Sequence, residues 1–286
     1  MKAKVITGIL GGAFAITMVA LMFTPVFSIA VAAFTTLANY ELLKATGVTN
    51  KGIFVLTTIP ATAMPFILDY DLIRFLPVPV VVPFLLYTFI LLMMMLKSYE
   101  HTRFEHVSMA LVSSLLVPYV MSLMLEIRDF FPEYPRSTRG YLLVFTLVCA
   151  WITDVMAYFV GVKLGKHKMS PKISPKKSWE GAVGGVIGTV IINFIVYGVY
   201  YALYRFGLIA KIIFPLWMLP ILSILLCVIG MLGDLSASAI KRNYGVKDYG
   251  TIMGEGNGGV MDRFDSGIFV IGAMYVLLLI YQAVTQ

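Results

Sequence analysis

Nine apolar runs of membrane length, separated by short polar loops, restrict this chain to one kind of fold. They fall at about residues 5–23, 26–40, 52–68, 79–96, 107–125, 141–162, 179–203, 212–232 and 266–284. About 20 apolar residues cross the hydrocarbon core as a helix. Inside lipid each span must satisfy its own backbone groups, and a helix does so within the segment. The chain has 286 residues, of which 59% are hydrophobic and only 13% charged, too little polar surface to clothe a water-soluble globule. The expected fold is all-α: a polytopic transmembrane helical bundle of about nine spans.

The basic residues set the expected topology. With a cytoplasmic N-terminus, 16 of the 22 Lys and Arg residues fall in inner loops. Arg74, Arg128, Arg136, Arg139, Arg205 and Lys211 remain outside. This is a firm positive-inside bias, and it turns the C-terminus outward. Met1–Lys4 and the run behind them have the look of a signal peptide, with Ser28-Ile29-Ala30 as a cleavage site. The apolar run continues to Tyr40 and Glu41 without a polar break, so the expectation is an uncleaved helix pair turned at Pro25. Cys149 and Cys227 both lie inside apolar runs, where they read as small packing residues.

Chemistry is distributed unevenly between two expected regions. Residues 1–140 hold transmembrane helices with ordinary loops, a scaffold and candidate oligomer interface. The histidines of the loop 97–106 (KSYEHTRFEH) match no common metal-ligand spacing, and that loop reads as a solvated face. Residues 141–286 carry carboxylates at membrane depth and two inner loops rich in Lys and Gly, the expected catalytic region. No internal repeat is visible, which argues against inverted-repeat transporters.

Asp154 interrupts the apolar helix VCAWITDVMAYFVG. An ionised carboxylate there costs roughly 2.5–3.5 kcal/mol to insert, so it should face the bundle interior with a partner. Tyr158 stands one turn later on the same face. In the following loop, Ser174-Pro175 fixes an extended segment and Ser178 is a plausible N-cap for the next helix. Lys176 and Lys177 would then stand beside a helix N-terminus, where free N–H groups favour a phosphate. Gly181, Gly184, Gly185 and Gly188 are spaced for close helix packing.

Asp234 ends the eighth expected span, and Asp262 and Asp265 begin the ninth, three residues apart on one helical side. Three carboxylates meeting at the cytoplasmic boundary repel one another unless a cation sits among them. Mg2+ suits such a place, since it takes one or two carboxylates plus substrate phosphate oxygens. A salt-bridge set with Lys241, Arg242 and Arg263 is the other reading of the same residues. Gly250, Gly254, Gly256, Gly258 and Gly259 would let the backbone approach a phosphate closely.

Taken together, Ser238, Lys241-Arg242, Lys247-Asp248, Gly250, Asn257-Gly258-Gly259 and Asp262-Arg263-Phe264-Asp265 resemble the C-terminal pattern of the bacterial phosphatidate cytidylyltransferases, or CDP-diacylglycerol synthases. The stretch SPKKSWEG (Ser174, Lys176, Lys177, Ser178 and Glu180 within it) and the Asp154–Tyr158 helix extend the resemblance over about 141–286. Two departures stand out. Asn257 replaces the histidine usual before the paired glycines, and the loop 254–257 is one residue longer than usual. An asparagine hydrogen-bonds a phosphate but does not titrate near neutral pH.

The resemblance implies a nucleotidyltransferase: CTP and phosphatidic acid give CDP-diacylglycerol and pyrophosphate, with Mg2+ as cofactor and a second cation left open. It assigns Asp234, Asp262 and Asp265 to the metal. Lys176, Lys177, Lys241, Arg242 and Arg263 are read as phosphate holders, and Asp248 as orienting Lys247 or a nucleotide group. The implied setting is the inner membrane, with the active site facing the cytoplasm; the partners are CTP, phosphatidic acid and the bilayer. No nucleic acid is called for, and the oligomeric state, a homodimer included, stays open. Two other functions stay open as well: a CTP-dependent transferase for another lipid phosphate, and a cation-coupled transporter using Asp154 and the 262–265 pair.

Overall fold

The computed structural model describes residues 12–209, 215–252 and 258–285. In chain order its helices are α1 (Pro25–Ala45), α2 (Lys51–Asp69), α3 (Val81–Lys97), α4 (Phe104–Asp129), α5 (Arg136–Leu164), α6 (Trp179–Arg205), α7 (Met218–Asn243) and α8 (Gly267–Thr285). Among the described residues, seven of them are long and apolar enough to cross a membrane; α3 is apolar but shorter. The protein is an all-α, multi-pass membrane protein. Each expected run from 26–40 onward overlaps one of these helices; the eighth is described only from residue 215 and is helical from Met218. Of the first run, residues 12–20 are helical and a turn at 21–24 leads into Pro25, as expected; the part before residue 12 lies outside the described residues. Pro25 sits where its missing N–H costs nothing.

By packing the chain forms two compact units: Met1–Glu126 with Tyr244–Arg263, and Ile127–Asn243 with Phe264–Gln286. The first unit is held by hydroxyl and amide side chains, because lipid tails give helices no hydrophobic reason to associate. Thr35 Oγ1 donates to the Ala61 carbonyl at 2.7 Å and Thr36 meets Thr62 at 2.7 Å, joining α1 to α2. Asn39 donates to Thr57 at 3.2 Å and accepts from Ser113 at 2.8 Å, which brings in α4. A single π-helical turn at Val112–Leu116 of α4 carries that serine. Leu43, Val48, Ile53, Leu91, Val107 and Ala110 make the buried apolar cluster beside this ladder.

In the second unit α5 and α6 form the closest helix pair, and glycine permits it. A Cβ on Gly185 would stand 2.9 Å from the Thr153 carbonyl oxygen and 3.0 Å from Ala157 Cβ. The close-packing role expected of these glycines is borne out. Thr153 meets Thr189 at 3.0 Å, and Asn193 donates to Ser223 on α7 at 2.9 Å. Between α5 and α6 the expected extended stretch is one arm of a short antiparallel hairpin, β1 (Lys168–Ser170) and β2 (Ser174–Ser178).

Two sequence expectations need correction. The eighth run does not end near Asp234: α7 continues to Asn243, because SASAIKR keeps helix-forming residues and has no breaker. Asp262 and Asp265 do not share a helix. Asp262 lies in a separate turn, Met261–Phe264, and α8 starts at Gly267, after Asp265.

Candidate active site

The extension of α7 places Asp234, Ser238 and Lys241 at successive turns of one helical face. Lys177, at the end of β2, pairs with the Asp234 carboxylate, and Ser238 Oγ reaches the same carboxylate at 3.5 Å. One turn further on, Lys241 Nζ donates to Asp265 Oδ2 at 3.3 Å. Asp265 Oδ1 accepts the N–H of Ser266 at 2.9 Å, and Ser266 Oγ donates to Asp154 Oδ2 at 2.7 Å. Asp154 thus has the partner that its burial demands. The body of α5, the end of β2, the last turns of α7 and the segment before α8 bring together three carboxylates and two ammonium groups within one unit.

The Lys241–Asp265 pair is shielded from water, whereas Lys177 and Asp234 are partly exposed. Lys241 is 7% exposed and Asp265 8%. Burial, and then the charge of Asp234, hold the Asp265 carboxyl above the usual carboxylate range, against the pull of Lys241. Such a site favours any cation that brings the carboxylates together. Among the described residues, no three His, Cys, Asp or Glu side chains form a ready-made metal cage. The hairpin is tied to this end of the unit as well, since Arg242 Nε donates to the Ile173 carbonyl at 3.4 Å.

The glycine-rich segment belongs to the first unit and is organised by two other carboxylates. Asp262 Oδ2 accepts the backbone N–H groups of Tyr249 at 2.8 Å and Gly259 at 2.9 Å, with Gly250 at 3.5 Å. Glu41, on α1 and 1% exposed, accepts the N–H of Val260 on Oε1 at 3.1 Å and of Met261 on Oε2 at 2.8 Å. A Cβ on Gly250 or on Gly259 would collide with the Glu41 carboxylate. Those two glycines, expected to admit a phosphate, make room for a buried side chain. Gly258, at φ +76°, takes a left-handed conformation that L-residues disfavour.

The other expected residues fall as follows. Ser178 is the N-cap of α6, accepting the Gly181 N–H at 3.2 Å. Glu180 accepts the N–H groups of Lys166 at 3.1 Å and His167 at 3.2 Å, which fixes the start of the hairpin loop. Ser174 is half-buried, and Lys176, Arg242, Lys247 and Arg263 are exposed. Asp248 is half-buried. Tyr158 is exposed, with its ring edge-on to Phe159 at 5.9 Å, and it does not join Asp154's partners. Asn257, Gly254 and Gly256 lie outside the described residues. Sequence reasoning missed Glu41. A lone acid at the end of an otherwise apolar helix was a signal of the same kind as Asp154.

A family model described as "Cytidylyltransferase family" matches residues 2–281. Over 156 residues the chain is 33% identical to a phosphatidate cytidylyltransferase of Staphylococcus saprophyticus, covering 50% of this chain and 51% of that protein. It is 31% identical over 179 residues to a phosphatidate cytidylyltransferase of Bacillus subtilis, covering 63% of this chain and 61% of that one. The chain therefore spans about half to three fifths of the length of the curated relatives it matches.

Proposed function

The chain belongs to the cytidylyltransferase family, and on that premise we propose that it transfers the cytidylyl group of CTP to phosphatidic acid. The products are CDP-diacylglycerol and pyrophosphate. A phosphate oxygen of the lipid attacks the α-phosphorus of CTP, the bond from that phosphorus to the β-phosphate bridging oxygen breaks, and pyrophosphate leaves with the electron pair. Catalysis of this kind is positioning and neutralisation of charge. The activity for which these relatives are named supports the substrates.

The observation that carries the reading is the paired arrangement Lys177–Asp234 and Lys241–Asp265, two acids and two bases at one end of the second unit. Mg2+ needs only one or two protein carboxylates when phosphate oxygens complete its shell. Asp234 lies two turns before Lys241 on one face of α7, and Lys241 holds Asp265, so both carboxylates stand at the same end of that helix with oxygens to offer an ion. They would hold the ion, and Asp262 enters the assignment by resemblance, its Oδ2 being engaged with backbone N–H groups. Bound there, Mg2+ would neutralise the triphosphate. Lys177 and Lys241 are placed to exchange their carboxylate partners for phosphate oxygens, and exposed Arg242 and Lys176 add positive charge at the lipid surface. The bias of basic residues supports an inner-membrane setting with this end facing the cytoplasm.

Purified protein given CTP, phosphatidic acid and Mg2+ should release pyrophosphate and form CDP-diacylglycerol. Omitting Mg2+ should stop both, and restoring it should recover both. Turnover with a different lipid phosphate only, or ion uptake without pyrophosphate, would overturn the proposal.

A further inference from the structure

We infer that Glu41 is a positioning residue for this reaction, holding the chain at 259–261 in the one conformation that presents Asp262 and Arg263. The inference rests on the activity proposed above. Its basis is geometric. Three successive backbone N–H groups, of Gly259, Val260 and Met261, all point at carboxylate oxygens: the first at Asp262 and the next two at Glu41, one on each oxygen. A neutral side chain would serve one of the last two amides well; only a carboxylate accepts from both without presenting a donor to either.

The cost of this arrangement argues for a purpose. An acid buried on an apolar helix is expensive, and the bonds that tie α1 to its neighbours run through Thr35, Thr36 and Asn39. The sequence also gives up side chains on both sides of the carboxylate, at Gly250 and Gly259, where a Cβ would strike it. Residues 209 or more positions apart in the chain are therefore built around one side chain. The next residues carry Asp262, whose own carboxylate closes the turn by accepting from Tyr249 and Gly259. Glu41 touches none of the proposed reacting groups; it acts through the backbone that carries them.

The test compares the full-length wild type with Glu41→Gln in lipid nanodiscs. The Gln amide keeps the size but turns a donor toward one backbone N–H. Amide exchange is measured first, with no nucleotide or metal. Exchange over 258–263 should be at least about tenfold faster in Glu41→Gln, the loss expected for a hydrogen bond to a charged group, while α5 is unchanged. Equal protection over 258–263 overturns the inference. Should Glu41→Gln fail to fold, Gly259→Ala, which leaves Glu41 in place but forces the segment off it, must show the same local loss; unchanged protection there overturns the inference too. The second arm is kinetic. In Glu41→Gln the Mg2+ concentration for half-maximal turnover should rise about 10- to 100-fold, as for other groups that orient a ligand, with KM for phosphatidic acid within about twofold. An unchanged Mg2+ requirement in a folded, active variant overturns positioning and leaves Glu41 a packing residue. A wild type that makes no CDP-diacylglycerol sinks the activity proposal instead, and the exchange arm still decides whether Glu41 orders the segment.

Discussion

Lys177 at the end of the hairpin lies against the carboxylate of Asp234 on α7. The two side chains are about a quarter and a fifth exposed, so as a stabilising ion pair the contact is worth little. Its value lies in readiness: each partner is held next to the group it would exchange for a phosphate or a cation. Lys177→Met should therefore leave the melting temperature nearly unchanged and lower turnover about 100- to 1,000-fold, the usual cost of losing one charge-stabilising donor. A thermal melt checks the first part, and pyrophosphate release at saturating CTP the second. A variant that melts early but turns over normally would reverse the assignment.

Asp265 separates metal holding from folding more sharply. In Asp265→Asn the amide oxygen still accepts the Ser266 N–H, and the shape is kept, so the protein should insert and remain folded. It loses the negative charge facing Lys241 and the donor proposed for Mg2+. Turnover should fall at least about 100-fold, and added Mg2+ should not restore it. Near-normal activity would remove Asp265 from the metal.

Apolar periodicity and length made the helices legible, because lipid leaves a chain no other way to satisfy its backbone. The glycine stripe of α6 and the cap at Ser178 were equally legible, since each follows from local spacing. Partners across the chain were not. That Gly250 and Gly259 flank Glu41 is a relation between residues more than 200 apart, and no local pattern encodes it. The end of α7 was misjudged for a different reason: polarity rises at Asp234 while helix propensity does not fall, so a hydropathy boundary was mistaken for a helix boundary. Asp262 and Asp265 were placed on one helix by their spacing alone. A turn at Asp265–Ser266 interrupts that helix, and the two carboxylates take different partners.

Gly185 tests the α5–α6 contact on which the site's walls depend. A Val side chain there must displace the Thr153 carbonyl and Ala157. Overpacking of this kind costs about 1–3 kcal/mol, and it pushes apart the helix that bears Asp154. Gly185→Val should lower the melting temperature and reduce turnover together. The proportion of the two losses, measured on the same preparation, separates this mechanism from the Lys177→Met effect, in which only turnover falls.

Exposed Lys247 reports which side of the membrane carries the signature segment. With the native cysteines buried, Lys247→Cys provides one accessible thiol. A membrane-impermeant maleimide should label it in inverted inner-membrane vesicles and not in intact spheroplasts. The reverse pattern would turn the whole topology over and place the site on the outer face.

Asn39 is the hinge of the polar ladder in the first unit, donating to Thr57 on α2 and accepting from Ser113 on α4. Replacing it with Leu keeps the branched shape and removes both links. The cost should still be modest, because each partner has a second bond: Thr57 to the Ile53 carbonyl at 2.8 Å and Ser113 to the Ala110 carbonyl at 3.3 Å. Neither hydroxyl is left orphaned in lipid. Interhelical hydrogen bonds in membranes average about 0.6 kcal/mol and reach about 1.7, so Asn39→Leu should destabilise by about 1–2 kcal/mol, read from thermal or denaturant unfolding in a fixed detergent. Thr57→Val added to Asn39→Leu should then cost less than it does in the wild type, since the bond it would remove is already gone. Full additivity of the two changes would mean that the Asn39–Thr57 bond contributes nothing to holding α1 against α2.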